Sequence, residues 1–226
     1  MNAKKLGLLV ALSAVIGSAL SASGTIAYSY QAGSYANATG VKDMGMNFTV
    51  GSTPVFVTAL GAWDNGQNGI SGNVTVAIYK VITDQTLEAV SGASAAFAGT
   101  SGTVIDGTRW QSITPVTLAA NTTYRLVASG YGGVFETYYE NPNSGQSSYL
   151  SANDGGGVLT FGASWQRWPG DYWEQAVSGR GTPQWTAGSF DFTPVPEASQ
   201  FAVAGVGLLG LVYIGRCAWQ RRKGVA

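Results

Sequence analysis

Residues 73–81 read NVTVAIYKV, and the alternation in this run decides the fold. Val74, Val76 and Ile78 fall on one side of an extended chain and Thr75, Ala77 and Tyr79 on the other, because successive side chains of a strand point to opposite faces. Such a run is a strand with one face on a core. The period persists on either side. MGMNFTV (44–50) puts Met44, Met46, Phe48 and Val50 on one face, and TTYRLVAS (122–129) sets Tyr124, Leu126 and Ala128 against Arg125, Val127 and Ser129. GSFDFT (188–193) adds a last strand with Phe190 and Phe192 together. Turn formers separate the runs: WDNGQNGISGN (63–73), AGTSGTVIDGT (98–108), ENPNSGQSS (140–148) and NDGGG (153–157). No part of 25–193 sustains a helical period. The expected fold is all-β, an antiparallel β-sandwich of jelly-roll-like kind over 23–193.

Composition agrees with an exported β protein. Only 11% of the 226 residues are charged, 12% are aromatic, and 32 are glycine. Between 23 and 196 there are six Lys or Arg against eleven Asp or Glu, an excess of five negative charges that argues against nucleic acid as a partner. There is no histidine, and the single cysteine is Cys217. The middle of the chain therefore has no disulfide, thiol nucleophile, imidazole base or Cys/His zinc site.

The two ends read as addresses. In MNAKKLGLLVALSAVIGSALSASG (1–24), Lys4 and Lys5 precede an apolar run from Leu6 to Ile16, and small residues follow. Eleven residues span roughly 16 Å as a helix, well short of a ~30 Å hydrocarbon core. Residues 1–22 are expected to be a cleaved signal peptide. The other end, 194–226, opens with TPVPEASQFAVAGVGLLG (193–210) and continues to Arg221, Arg222 and Lys223. Residues 201–219 are long enough for a single transmembrane helix of roughly 28 Å if Arg216 snorkels outward. Gly205, Gly207, Gly210 and Gly215 weaken that span. The basic end 221–223 is expected to stay cytoplasmic, leaving the main domain outside. Pro194 and Pro196 hold the connector before the helix extended.

The tail resembles a PEP-CTERM sorting signal. Val195, Pro196, Glu197 and Ser199, the apolar run, and Arg221 with Arg222 match the pattern in order, while Ala198 stands where the commonest pattern has a second proline. The resemblance implies transient residence in the inner membrane of a Gram-negative bacterium that makes extracellular polysaccharide, tail removal by an exosortase-type enzyme, and release to the cell surface or medium. FTVGSTPVFVTALGAWDNGQNGISGNVTVAIYKV (48–81) and SITPVTLAANTTYRLVA (112–128) are similar to a group of bacterial secreted β-sandwich domains that often precede such tails. Their function is unassigned, so this likeness bears on fold alone.

Three sets of residues invite a functional reading. Trp165, Trp168, Tyr172, Trp173 and Trp185 fall within 21 residues, near Arg167, Asp171, Glu174 and Gln175. Exposed indole faces would stack on sugar rings while those polar side chains bind hydroxyls; alternatively the rings plug the sandwich. In the loop after Trp63, Asp64, Asn65 and Asn68 could offer oxygens to calcium, although a lone carboxylate makes a poor site and Asn/Gly loops serve turn geometry alone. Glu136 with Glu140, or Asp171 with Glu174, could form an acid/base pair, but nothing places either pair in a cleft. In LAANTTYRL (118–126), Tyr124 has the setting of a corner whose hydroxyl bonds nearby backbone. The expectation is a secreted, non-catalytic cell-surface or extracellular-matrix protein. The alternative is a carbohydrate-binding module for extracellular polysaccharide, or less readily a glycan-active enzyme.

Overall fold

Alternation becomes strand wherever the chain is described in the computed structural model, which covers residues 24–30, 42–132, 139–140, 150–168, 170–175 and 185–196. The strands are β1 (Thr25–Ile26), β2 (Tyr28–Tyr30), β3 (Lys42–Val50), β4 (Val55–Trp63), β5 (Ile70–Val81), β6 (Leu87–Gly99), β7 (Thr103–Ile105) and β8 (Thr108–Leu118). They continue with β9 (Thr123–Tyr131), β10 (Tyr139–Glu140), β11 (Leu150–Ala152), β12 (Leu159–Arg167), β13 (Glu174–Gln175), β14 (Trp185–Thr186) and β15 (Gly188–Pro194). Among the described residues the only helical element is a 3-10 turn at Asn65–Gln67, and no helix is long and apolar enough to cross a membrane. The chain divides into a unit 1–193 and a unit 194–226. The expected signal segment and the tail from Glu197 onward lie outside the described residues.

The strands form antiparallel sheets. One has five strands in the order β1-β15-β4-β8-β7, another has six in the order β13-β12-β3-β9-β5-β6, and β10-β14 and β11-β2 are two-stranded ribbons. The five- and six-stranded sheets share one apolar core, an arrangement consistent with a β-sandwich. Val74, Val76 and Ile78 of β5 are fully buried in it, with Met44, Met46, Phe48 and Val50 of β3 and Phe190 and Phe192 of β15. Phe48 and Phe190, one from each sheet, meet with ring centroids 4.6 Å apart. Gly188 lets the backbones approach closely, since a Cβ there would lie 3.1 Å from Val76 Cγ1. Burying rings such as Phe190 stabilises by about 1.5–3 kcal/mol each.

Polar pins fix the edges of this core. The Tyr124 hydroxyl accepts a 2.9 Å hydrogen bond from the Ala119 amide across a turn in which Asn121 has φ 52°. The Tyr131 hydroxyl lies 2.8 Å from Trp63 O and 3.0 Å from Ala187 O, donating to these two carbonyls. Ser189 Oγ accepts from Tyr28 N and donates to Tyr28 O, joining β2 to β15 inside the protein.

Candidate functional site

The outer face of the six-stranded sheet departs from an ordinary solvated surface. Val127 points outward by parity yet is buried, clustered with Trp165 and Trp173. The cause is a register slip in β12. Leu159 and Phe161 pair with Val50 and Phe48 on the core side, so strict alternation would put Trp165 opposite Met44 and into the core. A β-bulge between Phe161 and Ser164 inserts one residue, and Trp165 then faces Gly45 and Arg167 faces Asp43. Bulges re-aim side chains in this way. Here the bulge turns Trp165 and Arg167 onto the outer face.

A stack of cations and rings follows from that turn. Arg125 of β9 is fully buried; its Nε donates to Asn47 Oδ1 at 2.7 Å and its Nη1 to Asp84 O at 3.1 Å. Its guanidinium lies 4.2 Å from the Trp165 ring centroid and 4.9 Å from that of Trp173. Gly45 makes room, since a Cβ there would fall 2.7 Å from Arg125 Cδ and 3.2 Å from Trp173 Cζ3. Arg167 lies 4.8 Å from the Trp173 ring while its Nε and Nη2 donate to Asp43 Oδ2 at 2.9 and 2.7 Å. Such cation–ring contacts are worth roughly 0.5–2 kcal/mol each. Burial pushes the Arg125 pKa down from the usual guanidinium range to about 10; Asp84 opposes that shift and Arg167 adds to it.

A reciprocal clamp completes the face. Gln85 Nε2 donates to Trp173 O and Trp173 N donates to Gln85 Oε1, both at 2.8 Å. The segment after β12 is thereby fastened to the β5–β6 hairpin. Beside it is a cleft of about 310 Å³, at the lower end of the range for small-molecule sites. Val127, Leu87 and Trp173 give it apolar surface, and Tyr79, Thr86, Ser129 and Arg167 give it polar groups.

The aromatic residues singled out in the sequence separate into two kinds. Trp165 and Trp173 are 5% and 4% exposed and packed against guanidinium groups, so they are not open stacking faces. Trp168 and Tyr172 are 44% and 81% exposed. Trp185 lies on β14, paired through Glu140 with β10. Asp171, Glu174 and Gln175 are exposed, and neither Asp171 nor Glu174 lines the cleft. Glu136 lies outside the described residues, as do Glu197, Ser199, Arg221 and Arg222 of the sorting motif; Val195 and Pro196 are half-buried.

The loop suggested for calcium uses its one carboxylate differently. Asp64 is fully buried, 2.6 Å from Arg109 Nε, and accepts from the Gly69 amide. Arg109 Nη1 in turn holds Thr100 O at 3.1 Å. The ion pair already neutralises Asp64, Asn65 sits in the 3-10 turn, and Asn68 is exposed. No cluster of three or more His, Cys, Asp or Glu side chains suited to a metal occurs among the described residues.

The sequence reading missed Arg125, Gln85, Tyr79 and Ser129 as site residues. The signal that could have found Arg125 is Gly45, a side-chain gap on the neighbouring strand large enough for the arginine stem. Comparison with known proteins returned no matching family model, curated protein or solved structure.

Proposed function

We propose that the chain is an exported, non-catalytic surface or matrix protein: a signal peptide over 1–22, a jelly-roll-like sandwich over 23–193, and a PEP-CTERM-like tail removed by an exosortase-type enzyme. The observation that carries this reading is the sequence of elements near the C-terminus, Val195, Pro196, Glu197 and Ser199 before an apolar run and then Arg221–Arg222. Strand order supports the jelly-roll part. With β7, β12 and β13 set aside, β1-β15-β4-β8 faces β3-β9-β5-β6, and the chain crosses repeatedly between the sheets. The intact mass of protein recovered from the cell surface or medium tests the reading. Loss of 1–22 and of the helix with its basic end is expected; a mass that still includes 201–226 would make the tail a permanent anchor.

A second reading, saccharide binding, is favoured by one specific feature. The outer cleft combines apolar surface with converging hydroxyl and guanidinium groups, and exposed aromatic rings, Trp168 and Tyr172, flank it in sequence. Its lining side chains include no carboxylate, which favours holding a ligand over hydrolysing one. Retention of the full-length protein on immobilised polysaccharide without release of reducing sugar is the expected result. Release of sugar would shift the reading to an enzyme.

A further inference from the structure

The polar groups of the cleft are notable for what they do not bind. The Tyr79, Thr86 and Ser129 hydroxyls form no side-chain hydrogen bond to the described residues, and Arg167 engages Asp43 through Nε and Nη2 only, leaving Nη1. Gln85, by contrast, already bonds the Trp173 backbone through both Nε2 and Oε1. Three hydroxyl-bearing side chains and Arg167 thus line the same small volume as Leu87 and Val127. The charge on Arg167 is balanced by Asp43 at 2.7 Å, and no unpaired cation lines the cleft.

We infer that this cleft binds an uncharged sugar residue at the end or branch point of a glycan. The inference rests on the saccharide-binding reading and narrows it to one site and one ligand class. A pyranose has a C–H face that can lie on the half-buried Leu87, and a ring of hydroxyls that can both donate and accept. Tyr79, Thr86 and Ser129 offer hydroxyls able to do both, whereas Arg167 Nη1 can only donate. An acidic sugar fits less well. Its carboxylate would need an accessible cation; Arg167 is paired with Asp43, and Arg125 is fully buried and does not line the cleft. The small volume suits one or two rings rather than a long chain laid along a groove.

The test uses the full-length protein and a panel of neutral gluco-, manno- and galacto-oligosaccharides beside an oligogalacturonate, read by calorimetry. At least one neutral oligosaccharide should bind, and the oligogalacturonate should bind more weakly. The double variant Tyr79→Phe/Ser129→Ala removes two hydroxyls with little change of shape. At about 0.5–1.5 kcal/mol per hydrogen bond it should weaken binding by about fivefold to 150-fold, with an unchanged melting temperature. Tyr172→Ala separates the two readings. Binding lost in Tyr172→Ala but intact in Tyr79→Phe/Ser129→Ala would overturn this site and leave saccharide binding standing. Preference for the oligogalacturonate would overturn the ligand class. No binding by any member of the panel would overturn both.

Discussion

The two faces of the six-stranded sheet are made by the same strands and built on different chemistry. The inner face of β3, β9 and β5 is Met44, Met46, Phe48, Leu126, Ala128, Val74, Val76 and Ile78, all buried against the other sheet. The outer face offers Asp43, Asn47, Arg125, Ser129 and Tyr79 at the alternate positions, and its small apolar cluster is Val127 with Trp165 and Trp173. The inner face needs only volume and shape. On the outer face, a buried guanidinium requires oxygens from Asn47 and Asp84 and ring faces from two tryptophans. Strand period, corrected by the bulge in β12, therefore divides a stabilising surface from one that keeps polar groups in fixed positions.

Substitutions should separate the faces by size of effect. Phe190→Ala empties a fully buried site against Phe48, Tyr28 and Phe192 and should cost about 3–5 kcal/mol in urea unfolding. Arg125→Met should cost less, about 1–3 kcal/mol, because it leaves Asn47 Oδ1 without its donor but also removes a costly buried charge. With a folded pKa below the unfolded one, that charge lowers stability at neutral pH, and the penalty fades only as pH rises through about 10. An Arg125→Met loss as large as that of Phe190→Ala would make the outer face a second core. Gln85→Ala should change global stability by under about 1 kcal/mol, yet speed proteolysis within 168–175, since it removes both bonds to Trp173.

The smallest effect concerns the other sheet. Burial raises the Asp191 pKa, opposed by hydrogen bonds from Thr58 and from the Phe192 backbone. A carboxyl that holds its proton more tightly when folded costs stability at neutral pH, and the cost is relieved as pH falls through its folded pKa. Asp191→Asn should therefore be more stable than wild type near pH 7, with the advantage shrinking on acidification. Melting curves across pH check the sign.

Much of the inner face was legible in the sequence because it obeys one rule. The parity of 73–81, 44–50, 122–129 and 188–193 places Val74, Phe48, Leu126 and Phe190 inside, where they are found. Tyr124 likewise bonds the Ala119 amide, as its setting suggests. The outer site was not legible, for three physical reasons. The β12 bulge reverses parity after Phe161, so no count along the strand foretells that Trp165 and Arg167 turn outward. Arg125 looks like any solvated strand residue until Gly45 and Trp173 are brought beside it. Gln85 acts through the backbone of Trp173, 88 residues away, a pairing that local sequence does not encode. The dense tryptophans marked the right neighbourhood but not which rings are open.

The most direct test of the outer face as a ligand site is amide hydrogen exchange on the full-length protein, with and without a mixture of the neutral oligosaccharides. Slower exchange is expected in 82–87, 127–129 and 168–173, where the cleft and its clamp lie, with Val55–Trp63 of the opposite sheet unchanged. Protection confined to other segments, or none at all, would contradict the account.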